Sequence, residues 1–310
     1  MDDRTAFLAR SFAPDGMGQA PFTRLRRLVT PLALWLLTVG LGSAAAATEQ
    51  MQASLPSPAP ASRHLSLTYE IYAGGMHSFT FNVGLTLEPE GYRITAAGGT
   101  RGFANLFQKW DVTLAAMGER MRPERYAMVN SSQQPAKTMQ LKFIEGGAFS
   151  VTRNLPEPND DTAEEAELPT QLPANIVDPM SAALVAAQQL AASGQCEQTL
   201  PVFDGKRRYD VTIRDMGSAE IPKSRIGIYD GTTVVCGVSI ERISGFKKPR
   251  NNAAQWDKNK DEPPKIWLAR VRADMPPVPV RFSAALALGS VVVHLTKVES
   301  SQELASSAAP

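Results

Sequence analysis

The chain has 310 residues, a formal net charge of +1 and two cysteines. A near-neutral balance leaves no surplus of Lys and Arg to neutralise a phosphate backbone, which excludes nucleic acid as a partner. Two cysteines far apart exclude a four-ligand zinc site and a CxxC redox pair.

The first predicted element is an export signal. Arg24, Arg26 and Arg27 precede the uncharged run LVTPLALWLLTVGLG, Leu28 to Gly42, and SAAAAT then supplies the small residues that a signal peptidase reads. The apolar run is shorter than the roughly 20 residues that span a bilayer. An uncleaved anchor is the competing reading, and the polar flank after Ala47 favours cleavage. Residues 1–47 are read as a signal peptide, with Met17 as an alternative start that leaves an ordinary basic leader. No cysteine lies near the cut, so the lipoprotein route is closed. The expected product is a soluble periplasmic protein with no stable membrane anchor after cleavage.

Residues 48–62 are Pro, Ala and Ser without periodicity and are read as a disordered leader. A single β-rich domain is expected over 63–299, followed by a disordered tail over 300–310. In LSLTYEIY, Leu65, Leu67, Tyr69 and Ile71 alternate with Ser66, Thr68 and Glu70. SFTFNVGLTL repeats the pattern, and the turns AGGM and EPEG link these runs to each other and to YRIT. Period-two alternation predicts strands with one buried face, and the short turns make them antiparallel. WDVTLAAM, RPERYAMVN, KTMQLKFI and AFSVTR continue the series. GGTRGF, Gly98 to Phe103, is read as a loop with no convincing helix after it.

The acidic, Pro-rich stretch over 157–175 is read as a solvated loop; its carboxylates lack the order of a calcium loop. One helix is predicted at about 179–193, with Asp178 as N-cap, Pro179 at the first helical position and Gly194 just past the end. Met180, Leu184, Ala187 and Ala191 fall on one stripe, so the helix is expected to cover a face or an open end of the sheet. TLPVF, KRRYDVTI, SRIGIY, TTVVCGVSI, KIWLARVRA, VPVRFSAAL and SVVVHLTKV complete about a dozen strands. The fold class is mainly β: a large curved antiparallel sheet or barrel with one covering helix.

Cys196 and Cys236 invite two readings, a disulfide formed in an oxidising compartment or two buried thiols. A disulfide would tie the C-terminal end of the helix to the second Asp-Gly hairpin.

Asp204-Gly205 and Asp230-Gly231 suit two-residue hairpin turns. In VFDGKRRYDV such a turn pairs Val202 with Arg207. It places Arg207 and Tyr209 on the apolar face, as possible ligand-facing residues, and Lys206 and Arg208 on the wet face. Three roles stand open for Arg207: a snorkelling rim charge, an internal ion pair, or a contact to a ligand headgroup.

The chemistry-bearing motifs are missing. There is no Gly-x-Ser-x-Gly, no His-Glu-x-x-His and no phosphate-cradling loop ending in Gly-Lys-Ser/Thr. His64, His77 and His294 are scattered over strand ends and wet faces. Trp110, Trp256 and Trp267 are candidates either to line a cavity or to fill the core. No catalytic residue, cofactor or metal is predicted.

DPMSAAL, Cys196, VFDGKRRYDV, GTTVVCGV, SGFKK, IWLA and VPVR, in that order, resemble the exported bacterial domain-of-unknown-function 3108 family. The resemblance covers roughly Leu65 to Val298 and implies an exported, mainly β protein without transferable catalytic residues. The expected function is non-enzymatic: a binding module for a hydrophobic or lipid-like envelope ligand. The alternative is an envelope assembly or scaffold protein that acts on an unknown partner through its surface.

Overall fold

The computed structural model describes residues 62–102, 104–107, 109–132, 135–154, 169–246, 263–286 and 289–300. The signal peptide, leader and tail expected from the sequence lie outside the described residues, apart from Ser62 and Ser300, as do most of the acidic loop and Trp256.

The first seven strands are β1 (Arg63–Ala73), β2 (Met76–Leu87), β3 (Gly91–Thr100), β4 (Asp111–Glu119), β5 (Arg122–Asn130), β6 (Lys137–Phe143) and β7 (Phe149–Asn154). A single helical turn, α1 (Ala104–Phe107), follows GGTRGF, where none was expected. The long helix α2 (Pro179–Ser193) has the predicted bounds. It precedes β8 (Gln198–Phe203), β9 (Arg208–Ile221), β10 (Gly231–Ser244), β11 (Lys265–Ala269), β12 (Val278–Leu286) and β13 (Gly289–Ser300).

All thirteen strands join one antiparallel sheet in the order β7-β6-β5-β4-β3-β2-β1-β13-β12-β11-β10-β9-β8. Each neighbour is a neighbour in sequence except one: β1 pairs with β13, setting Tyr69 opposite Leu295 and Ile71 opposite Val293. The sheet is therefore two meanders joined along their first and last strands.

Alternation decides which face is buried. Leu65, Leu67, Tyr69, Leu85, Leu87, Tyr92, Ile94 and Leu295 share the inner face and pack as one core together with Leu184 of α2. On the opposite face of the same strands, Ser66, Thr68 and Glu70 remain partly exposed. The far meander closes on α2 too, with Leu190, Cys196, Ile213 and Cys236 in one cluster and Val177, Ala182 and Val202 in another. A helix that meets sheet on several sides must be apolar around most of its girth. Accordingly Ser181, Ala182, Leu184, Ala187 and Leu190 are all buried, a wider face than the predicted stripe.

The edge strands β7 and β8 share no ladder, so hydrogen bonds do not close the sheet. Side chains and a short strap seal the seam instead. Phe203 on β8 is 0% exposed and meets Phe149 on β7 edge-on, ring centroids 5.1 Å apart. The strap is the segment before α2. Its Val177 N–H donates to the Pro201 carbonyl at 3.0 Å, and Phe203 N–H donates to the Val177 carbonyl at 2.9 Å. At its other end Leu172 N–H donates to the Gly147 carbonyl in the turn before β7 at 3.1 Å. Pro201 is tolerated because its missing N–H would point to this edge, away from β9.

Two predicted features are corrected. SRIGIY is a loop, because β9 runs on through Ile221 and pairs it directly with Gly231, leaving no partner for a further strand. Asp230-Gly231 therefore ends a long connection rather than forming a two-residue turn. The hairpin at Asp204-Gly205 has a four-residue loop, with Phe203 opposite Arg208 and Val202 opposite Tyr209. The Asp204 carboxylate accepts from the N–H groups of Lys206 at 2.9 Å and Arg207 at 2.6 Å, an Asx turn that absorbs two more residues.

Candidate functional site

The inner face changes character along the strands. At the end covered by α2 its residues are fully buried. Beyond the helix one cross-strand row runs through Ile266, Phe282, Val293, Ile71 and Phe79, linked in register across five strands. All five are apolar and all five are only partly buried. Gly98 on β3 lies beneath this row: a Cβ there would meet Phe81 Cδ2 at 2.3 Å and Phe79 Cε1 at 2.7 Å. Bare backbone at Gly98 lets both rings approach the sheet closely.

The row ends at β10, where Cys236 stands opposite Ile266. Further along the same face of β10 come Val238, Ile240 and Arg242, opposite Ile213, Val211 and Tyr209 of β9. Ile240 is 58% exposed although it lies on the inner face. Its position is past the end of the β10–β11 ladder at Gly237–Lys265.

A compact basic cluster closes this end. The chain turns at Gly245, φ +79°, where a Cβ would lie 2.0 Å from the Lys206 carbonyl oxygen and 2.9 Å from Arg207 Cα. Only glycine fits so close to the β8–β9 loop in that left-handed conformation. The turn lays Phe246 edge-on against Tyr209, centroids 6.2 Å apart. Arg207 Cζ sits 5.7 Å and Arg242 Cζ 5.3 Å from the same Phe246 ring. Tyr209 titrates above its ordinary range because it is buried, with the Asp204 charge adding to the shift and Arg207 opposing it.

The sequence reading of the three basic residues is corrected here. Arg207 is in the loop and exposed rather than on the strand's apolar face. Arg208, expected to be solvated, is the enclosed one: its side chain is 11% exposed and pairs with Asp210 at 2.6 Å. Tyr209 is on the inner face as expected, because the register slipped by two residues and parity was kept. Phe246 and Arg242 were not singled out; a Gly-Phe pair just past a strand end was the available signal.

At the end covered by α2 lies a buried polar chain. Asp178 is 0% exposed and caps α2, accepting from Met180 N–H at 2.9 Å and Ser181 N–H at 3.0 Å. Its second oxygen accepts from the Ser181 hydroxyl. That spends the serine proton, so the Tyr92 hydroxyl donates to Ser181 Oγ at 2.6 Å. Burial pushes the Asp178 carboxyl up to about 6, against the hydrogen bonds that favour its charge.

Cys196 and Cys236 form a disulfide with Cα atoms 6.2 Å apart, tying the short segment between α2 and β8 to β10. Trp110 is exposed, and Trp267 lies under the Arg281 guanidinium, 5.0 Å from its centroid, beside His294 on the outward row. Among the described residues no group of three or more His, Cys, Asp or Glu is placed to hold a metal. Among them also no helix is long and apolar enough to cross a membrane.

These features define a class: a mainly β protein whose single antiparallel sheet is wrapped on a helix, with an apolar inner face left partly open at one end. The chain belongs to the family "Protein of unknown function (DUF3108)", whose model matches residues 68–296. Among solved structures it is similar to a "Beta-barrel-like Protein of Domain of Unknown Function DUF1849 from Brucella abortus". That likeness has 12% identity and a TM-score of 0.45, covering 77% of this chain and 97% of the other. No curated protein matches the chain.

Proposed function

We propose that this is an exported periplasmic protein that binds a hydrophobic, lipid-like ligand on its inner face and catalyses no reaction. One observation carries the reading. The row Ile266, Phe282, Val293, Ile71, Phe79 faces inward, yet remains partly exposed, while the same face is sealed around α2. Apolar surface that a sheet turns inward without filling costs about 25 cal/mol for each Å² left in water, and an apolar ligand recovers that cost. Export is supported by the basic, apolar, small order at the N-terminus and by a disulfide, which persists in oxidising compartments.

Native mass spectrometry of protein purified from the periplasm tests both parts. The expected result is a chain shortened by its leader, with an added mass that organic extraction removes. A ligand-free chain that also fails to take up a fluorescent apolar dye would overturn the binding reading.

A scaffold role is the second reading. It is favoured by Ile226 and Ile228, both exposed on the β9–β10 loop, which Ile228 N–H pins to the Leu295 carbonyl at 3.0 Å. It expects a cross-linked envelope protein that Ile226→Asp and Ile228→Asp release.

A further inference from the structure

We propose that the ligand is a single-chain amphiphile with an anionic headgroup, held between Arg207 and Arg242 while its chain lies along Ile240 and Val238 toward the apolar row. This rests on the hydrophobic-ligand reading and adds the charge of the ligand and the place of its head.

Geometry supplies the argument. Arg207 comes from the β8–β9 loop and Arg242 from the end of β10, two elements brought together by the turn at Gly245. Both guanidiniums lie over the single Phe246 ring, at 5.7 and 5.3 Å. A ring so placed fixes the cations and leaves their N–H edges available. Two like charges held near one ring repel each other, and an anion between them relieves the repulsion.

Among the described residues no carboxylate is ion-paired with either arginine, and one oxygen of the nearby Asp204 carboxylate accepts from two N–H groups of its own loop. Arg208, the third arginine of the region, is neutralised by Asp210.

The apolar half adjoins the basic half. Arg242, Ile240 and Val238 alternate along one face of β10, so Ile240 follows the guanidinium by one side-chain repeat, about 7 Å. Its 58% exposure makes it the most open large apolar side chain on that face. From Val238 the surface continues into Ile266 and Phe282. A charged head with a chain trailing from it matches this order; a free inorganic anion would use the arginines and leave Ile240 uncovered.

The experiment is calorimetric titration of the full mature protein with dodecyl phosphate, dodecanol and inorganic phosphate, below the aggregation thresholds of the amphiphiles. Dodecyl phosphate is expected to bind more tightly than dodecanol, with affinity that falls as salt rises, and inorganic phosphate is expected not to compete. Arg207→Met with Arg242→Met should weaken dodecyl phosphate by about tenfold or more and leave dodecanol unchanged. Lys206→Met, which removes a charge from the same loop, should alter neither. Equal, salt-independent binding of both amphiphiles would overturn the headgroup site and leave the hydrophobic-ligand reading standing. Binding of neither would overturn both. Competition by inorganic phosphate at similar affinity would make this a simple anion site and overturn the amphiphile. The salt dependence is read on the unmodified protein, so the test survives a double variant that fails to fold.

Discussion

Phe149 and Phe203 meet edge-on at 5.1 Å across the one boundary of the sheet that has no hydrogen-bond ladder. Their contact replaces backbone pairing with ring packing, and it predicts where the sheet is weakest. Phe203→Ala removes a fully buried ring and should cost about 3–5 kcal/mol. Phe149→Ala should cost less, since Phe149 is only partly buried. A double-mutant cycle by urea unfolding should return a coupling of about 0.5–1.5 kcal/mol. Strict additivity would mean the edges are held by the strap alone.

The disulfide sets a second expectation. Cys196 and Cys236 are 40 residues apart in sequence, and closing a loop of that size stabilises by roughly 4 kcal/mol on the chain-entropy estimate. Denatured, unreduced protein should show no alkylatable thiol and a mass two hydrogens below the reduced chain. Reduction should shift the urea midpoint to lower concentration. Two thiols in unreduced material would refute the pairing.

Asp178 predicts a pH dependence of definite sign. Its carboxyl is pushed up to about 6 from an ordinary 3.8 by burial. The folded state therefore holds the proton more tightly than the unfolded chain. This group's contribution to stability is complete below about pH 4 and is lost as pH rises through about 6, an effect of about 2–3 kcal/mol. Asparagine keeps a capping oxygen and removes the titration. Asp178→Asn should flatten that part of the stability profile, measured by unfolding between pH 4 and 7.5. Parallel profiles for the two proteins would contradict the assignment.

Arg207 and Arg208 should separate cleanly. The first is exposed, so Arg207→Met should change stability by less than about 1 kcal/mol. The second is enclosed with Asp210, and Arg208→Met leaves that carboxylate without its partner, at a cost of about 3 kcal/mol. Equal costs would mean the hairpin register is wrong.

Local signals were legible and long-range ones were not. Alternation located most strands, because facing a core is a property of each strand by itself. The cap of α2 was legible as Asp178-Pro179 with Gly194 beyond, since capping acts over one turn. The register at Asp204 was misread because the aspartate side chain captured two further N–H groups and lengthened the loop. SRIGIY carries strand-like residues, but β9 reaches β10 without it. Nothing local announces that β1 lies beside β13, that Val177 straps β8, or that Tyr92 and Ser181 meet over Asp178. Arg207 was found for its basic run; its partner Arg242 was not, because the two are joined only by the turn at Gly245.

The pairing of β1 with β13 has a kinetic consequence. Every other strand pair joins strands that follow one another in sequence, so each meander can zip up locally, whereas β1 and β13 must find each other across nearly the whole domain. A circularly permuted chain, opened between Asn154 and Pro169 with Ser300 linked to Arg63, would turn that distant pairing into another hairpin. The thirteen strands would then follow one another in both space and sequence, and the long search would pass to the Phe149–Phe203 seam. Such a permutant should refold faster than the natural order, with its late barrier sensitive to the two phenylalanines.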